Sequence, residues 1–141
     1  MIVDASVLLR AFLPDEHQSQ ALGVVREHAS GKLQLKGPAL LPYELSNALW
    51  QAERRSRLTC SQADRILQAF VKLEIEIISQ SWGVMLPFAR QFNCSAYDAA
   101  YLALAQETSE PLLTGDLRLY NAVHNDLNWV LWIETYSSKS D

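Results

Sequence analysis

Four acidic side chains in this chain are placed as metal-binding or hydrolytic carboxylates would be. Asp4 follows the apolar run of residues 1–3, and Asp116 follows Leu112-Leu113-Thr114-Gly115, a second short apolar run that leaves through a glycine. Each is therefore expected at the carboxyl end of a buried strand, the edge where open α/β sheets carry their sites. Glu44 and Asp98 fall in the first turns of the helical patterns that open at Pro42 and Ser95. If those helices start near the same edge, the four carboxylates converge. Crowded like charges repel and raise one another's pKa, so such a cluster requires a compensating cation. Mg2+ or Mn2+ suits carboxylate and water oxygens, whereas a zinc site finds no support. Cys60 and Cys94 lie far apart, and His17, His28 and His124 show no ligand spacing and read as surface residues. Carboxylates with hard divalent ions are equipment for cutting phosphodiesters. Each acid alone also has a local reading. Ser95-x-x-Asp98 has the form of a capping box, Glu44 complements a helix dipole, and Asp4 and Asp116 suit turns.

The elements that must position these acids follow from the hydrophobic pattern. Short apolar runs at residues 1–3, 74–78, 112–114 and 129–134, with a weaker one at 33–40, read as strands. Helical patterns lie between them at 6–13, 18–28, 42–55, 61–72, 82–92 and 95–106, and Pro87 is expected to end or kink the fifth. Strands apolar on both faces and separated by helices imply a three-layer α/β/α sandwich with a central, mainly parallel sheet. The 141 residues, 49% hydrophobic and 20% charged, fit one globular domain over 1–136 with a flexible tail at 137–141. The opening MIVDASVLL places an aspartate where a signal peptide would be apolar, and no run approaches a membrane span, so a cytoplasmic protein is expected. A net charge of -4 supplies no bulk positive field, so a polyanion would have to be held by local cations.

The opening IVDASVLL, then PYELSNAL, SAYDAAYLALA and LLTGD resemble, in order and spacing, the four acidic motifs of the PIN-domain ribonucleases. More closely, they resemble the small VapC-like toxins of bacterial toxin-antitoxin pairs. The resemblance runs from Met1 to about Ile133. It implies a Mg2+- or Mn2+-dependent endoribonuclease with Asp4, Glu44, Asp98 and Asp116 as metal-binding and catalytic residues. Ser6 and Thr114 would support the site by hydrogen bonds and belong with Asn47 and Arg55 to the substrate-binding set. It also implies an RNA substrate, a cognate antitoxin and a homodimer. In one place the chain departs from the pattern. Where some relatives carry a further acid just after the fourth motif, Arg118 stands here, and one tightly held ion is the expectation.

The period of 3.6 residues sets Glu44, Asn47, Gln51 and Arg55 on one helix face, next to the basic run QAERRSR with Arg54 and Arg57. The functional reading is a phosphate track leading to the acids; the alternative is a solvated helix end. Trp50, Trp82, Trp129 and Trp132 are read as core. The amino-terminal run with Val7, Leu8, Leu9, Phe12 and Leu13 exceeds what one sheet face needs, which suggests a covering partner. Phosphoaspartyl phosphatases and receiver domains are disfavoured because Asp4-Ala5-Ser6 lacks their second aspartate. A dinucleotide reader lacks its G-x-G-x-x-G. The remaining alternative is a catalytically silent module of the same fold that binds RNA or a protein.

Overall fold

The computed structural model describes residues 1–16 and 18–137; His17 and positions 138–141 of the expected tail lie outside them. Five short strands, β1 (Ile2–Val3), β2 (Lys36–Pro38), β3 (Glu76–Ile78), β4 (Leu112–Thr114) and β5 (Val130–Trp132), form one sheet in the order β3-β2-β1-β4-β5. Every neighbouring pair is parallel, with Ile2 beside Leu112, Val3 beside Leu113 and Thr114 beside Trp132. The chain steps from β1 outward to β3, then crosses back to β4 on the other side of β1. Right-handed crossovers put the connections on opposite faces before and after that reversal. The crevice outside the carboxyl ends of β1 and β4 is thus the topological switch point, where such sheets bind ligands.

Seven α-helices among the described residues cover the sheet: α1 (Ala5–Phe12), α2 (Ser19–Ala29), α3 (Leu41–Arg54), α4 (Cys60–Lys72), α5 (Met85–Phe92), α6 (Ala96–Thr108) and α7 (Leu117–Val123). Helix α6 is buried without interruption from Ala99 to Ala105 and lies over β1, β2 and β4. Its alanines at 99, 100, 103 and 105 let the backbone approach the sheet closely. Helix α4 starts at a full capping box, in which Thr59 Oγ1 accepts from Gln62 N–H at 3.1 Å and Gln62 Oε1 accepts from Thr59 N–H at 2.8 Å.

Several expectations need correction. Pro87 breaks nothing: a 3-10 turn over Trp82–Val84 precedes α5, which starts at Met85, so the proline sits in the first turn where its missing N–H is harmless. Strand β3 is not apolar on both faces, since at the sheet edge Glu76 and Ile77 are exposed. The surplus apolar surface of α1 is covered from within, Phe12 meeting Phe70 of α4 edge-on at 4.9 Å between ring centroids. Two of the four tryptophans are not core, Trp50 being 54% and Trp82 85% exposed. His28 is half-buried and stitches the ends of α2 and α4. Its Nδ1 accepts from Leu35 N–H at 3.1 Å, which leaves Nε2–H to donate to the Leu73 carbonyl at 2.6 Å. No helix among the described residues is long and apolar enough to cross a membrane.

A candidate active site at the carboxyl edge of the sheet

Asp4 is the innermost of the four acids. It leaves β1 directly into α1 as that helix's N-cap residue, and only 7% of its surface is exposed. Two hydroxyls donate to one of its oxygens, Oδ2: Ser6 at 2.8 Å from the first turn of α1 and Thr114 at 2.7 Å from the end of β4. The same hydroxyls receive backbone donors, Gly115 N–H reaching Ser6 Oγ at 2.9 Å and Asp116 N–H reaching Thr114 Oγ1 at 3.0 Å. A relay of four hydrogen bonds therefore ties the ends of β1 and β4 together through Asp4. Thr114 has no exposed surface, so its part is to orient Asp4 and fix the turn, and its side chain cannot reach a polymer. Ser6 likewise spends its hydroxyl on this relay.

Gly115 makes the relay possible. A side chain there would meet Arg10 Nε at 2.9 Å and Ser6 Oγ at 3.3 Å. Arg10 donates to the Gly115 carbonyl at 2.7 Å and lies over the Trp132 ring, 5.4 Å from its centroid. The turn that carries Asp116 is thereby clamped to α1 and β5.

Asp116 caps α7, its Oδ1 accepting from Arg118 N–H at 3.0 Å and Leu119 N–H at 3.2 Å. Glu44 stands in the first turn of α3, and its Oε1 accepts from the Tyr101 hydroxyl at 2.6 Å. Tyr101 is 1% exposed and lies on α6 three residues after Asp98, so a buried phenol reaches across from the central helix to hold the glutamate. Ser95 caps α6, accepting from Asp98 N–H at 3.0 Å. Asp116 is thus a true cap, whereas at α6 only half of the expected capping box forms: Ser95 caps the helix and the Asp98 side chain returns no bond to the Ser95 N–H.

Asp4, Glu44 and Asp98 are each raised first by burial and then by neighbouring acids. Burial pushes the Asp4 carboxyl up from the ordinary aspartate range, its two hydroxyl donors pull it back, and the charges of Asp98 and Asp116 raise it again. Glu44 is raised to about 6, mainly by burial, against the pull of Tyr101 and with the help of Asp4 and Asp98. Asp98 is raised by burial and by Asp116, while Ser95 and Arg118 oppose the rise. Burial and the charges of Asp4 and Glu44 also hold the Tyr101 phenol in its neutral, donating form.

The carboxylates perturb one another, yet among the described residues no three His, Cys, Asp or Glu side chains are gathered tightly enough to ligate one ion together. What the site offers a hard cation is a set of uncommitted oxygens. In Asp4, Glu44 and Asp116 one oxygen takes every hydrogen bond received from the described residues, and the other takes none.

Tyr101 is the neighbour of the candidate site missed by sequence reasoning, which singled out only Ser95 and Asp98 on this helix. The signal available was a tyrosine one turn after an acid, whose buried hydroxyl must find a partner. The proposed track is only partly realised. Asn47 and Arg55 are exposed on α3 and at its end, with Arg55 about 16 Å along the helix from Glu44. Arg54 instead lies over Trp50, 5.8 Å from the ring centroid, and Arg57 grips Asp15 and Glu16.

The PIN domain family matches residues 1–125. The chain is 31% identical over 125 residues to VapC ribonuclease Mb0985 of Mycobacterium bovis, covering 84% of this chain and 87% of that one. It is 31% identical over 123 residues to ribonuclease VapC3 of Pyrobaculum aerophilum, covering 84% and 91%. The crystal structure of PAE2754 from Pyrobaculum aerophilum superimposes with a TM-score of 0.70 at 25% identity, over 95% of this chain and 90% of that chain.

Proposed function

Because this chain belongs to the PIN-domain family, among the VapC ribonucleases, we propose that it is a metal-dependent endoribonuclease acting as the toxin of a toxin-antitoxin pair in the cytoplasm. What supports the reading is that Asp4 and Asp116 leave the adjacent strands β1 and β4 at the switch point, while Glu44 and Asp98 stand in the first turns of α3 and α6, with burial and neighbouring acids raising Asp4, Glu44 and Asp98. Structural acids that only cap helices have no reason to meet and no reason to be desolvated together.

The four acids would hold Mg2+ or Mn2+ through the oxygens that the fold leaves uncommitted, drawing the side chains inward as the charge is neutralised. Such an ion supplies a nucleophilic water near neutral pH and stabilises charge on the phosphate. The chain's own residues do the rest. Ser6 and Thr114 fix Asp4, and Tyr101 fixes Glu44. Before any ion binds, burial and the neighbouring acids raise the Glu44 carboxyl to about 6, so a divalent ion would both hold it and favour its ionised form. Asn47 and Arg55 are the proposed outer contacts of the RNA strand. An apolar groove lined by Leu45, Leu67, Phe70 and Val71 and the exposed Tyr43, Trp50, Trp82 and Tyr97 are surfaces for the two proposed protein partners, an antitoxin and a second copy of the chain. Light scattering of the purified protein tests the second.

The deciding experiment is brief expression without an antitoxin, followed by sequencing of RNA ends, with Asp98→Asn as control. Growth arrest and a defined set of new ends in wild type alone are expected. Unimpaired growth and unchanged RNA at verified expression would leave the silent-module reading in its place.

A further inference from the structure

Arg118 is the one side-chain cation, among the described residues, that pairs with a site carboxylate. The other ion pairs join Arg10 to Glu134, Lys36 to Glu110, and Arg57 to Asp15 and Glu16. Its contact with Asp98 is loose. Nη2 stands 3.7 Å from Oδ2, beyond hydrogen-bond distance, and the side chain is 83% exposed. A guanidinium built to lock a carboxylate looks different in this same molecule, where Arg57 meets both oxygens of Asp15 at 2.7 and 2.9 Å. The base of Arg118 is nonetheless fixed, because its N–H donates to Asp116 Oδ1 at 3.0 Å. The residue is thus anchored on one site acid and leans toward another, with its donors uncommitted.

An RNA phosphate approaching Asp4, Glu44, Asp98 and Asp116 meets concentrated negative charge on a protein whose net charge is already -4. A planar guanidinium recognises phosphate oxygens through paired donors, and an exposed ion pair costs little to leave. We propose that Arg118 is a phosphate-binding residue of this site, parked beside Asp98 in the free protein and taking a non-bridging oxygen of the RNA phosphate at or next to the scissile bond. The proposal rests on the ribonuclease reading. It also assigns a purpose to the position where an arginine replaces the further acid of some relatives.

The test compares wild type, Arg118→Ala and Arg118→Lys with a labelled single-stranded RNA that carries the mapped cleavage site. Binding is followed in chelator, so that nothing is cut, across a salt series. Arg118→Ala is expected to lower the slope of log affinity against log salt by about 0.7, one counterion's worth on a single strand. Lysine, which keeps the charge, should retain the slope. In cleavage assays KM should rise on the order of tenfold in Arg118→Ala, the equivalent of about one charge-assisted hydrogen bond. If wild type cuts RNA while Arg118→Ala keeps its slope and KM, Arg118 is only a counterion of Asp98 and the proposal falls alone. If wild type neither binds nor cuts RNA, both readings fall.

Discussion

Glu44→Gln gives a quantitative probe of how far the site's burial and neighbouring charges penalise the ionised Glu44. The substitution removes the charge and keeps an amide oxygen that can still accept from the Tyr101 hydroxyl, now 2.6 Å from Glu44 Oε1. In the folded protein the carboxyl titrates at about 6 against an ordinary 4.5. A folded group that binds its proton more tightly than the unfolded one stabilises the fold at low pH. That contribution is fully present below about pH 4.5 and is lost as pH rises through about 6. The full shift corresponds to about 2 kcal/mol at 1.36 kcal/mol per unit, and solvent screening of this half-exposed side chain reduces it to about 1 kcal/mol. Thermal melts in chelator from about pH 4 to about pH 7.5 should therefore show wild type losing about 1 kcal/mol more than the variant, a difference of roughly 2 to 4 °C at this size. Added Mn2+ should cancel the loss in wild type by neutralising the cluster. Parallel curves for the two proteins across that range, with or without metal, would refute the shared pocket for Glu44.

Four further outcomes follow from the same geometry. Thr114→Val keeps the shape of a fully buried side chain but leaves Asp4 short of one donor and Asp116 N–H without its acceptor, and chemical denaturation should read a loss of about 3 kcal/mol in metal-free protein at neutral pH. Tyr101→Phe removes the donor that holds down the Glu44 pKa, so in melts run in chelator the pH at which the Glu44 contribution to stability is lost should move upward. Asp98→Asn should melt higher than wild type in chelator, because repulsion is relieved. At a hundredfold excess over the dissociation constant, Mn2+ should stabilise wild type by about 2.7 kcal/mol and the variant much less. Arg55→Ala should reduce the salt slope of RNA binding by about 0.7 while leaving the melting temperature unchanged, since Arg55 is exposed at the end of α3.

The architecture was legible because parallel strands buried on both faces leave short apolar runs between helical patterns, as β1, β4 and β5 do. Strand β2, Lys36-Gly37-Pro38, carries no apolar run of its own and is the strand that hydropathy marks most weakly. Strand β3 is marked by its sequence but departs in burial: as an edge strand it has one partner and solvent beyond, so Glu76 and Ile77 are exposed. Helix α7 escaped notice for a different reason. Its seven residues offer only Leu119 and Val123 as buried positions, too few for a period to show, and its clearest mark is the cap supplied by Asp116. That mark had been assigned to a turn. The exposed Trp50 and Trp82 show the opposite failure, because residue type predicts burial only on average. At the site, the acids could be placed from strand and helix ends, whereas Tyr101 could not, since its contact with Glu44 spans 57 residues and depends on how α6 lies against α3.

Capping and catalysis are usually weighed against each other for an acid at a helix end, but here they divide the carboxylate between them. Asp116 Oδ1 holds the first turn of α7, Asp4 Oδ2 closes the relay from β1 to β4, and Glu44 Oε1 holds α3 to α6. The hydrogen bonds stabilise the ionised form of each group, and they offset part of the cost of burying like charges at one edge. The same bonds restrain each side chain and leave its second oxygen without a hydrogen bond from the described residues. A fold that used both oxygens would be more stable without metal and would have nothing to offer a cation or a water. A fold that used neither would leave four mobile acids to swing apart. One oxygen for the scaffold and one for the proposed chemistry would satisfy both demands. This arrangement predicts that substitutions removing a donor, at Ser6, Thr114 or Tyr101, weaken metal binding although none of those side chains need touch the ion. Isothermal titration with Mn2+ on Ser6→Ala tests it at the mildest of the three, and affinity equal to wild type would mean that the carboxylates are positioned by packing alone.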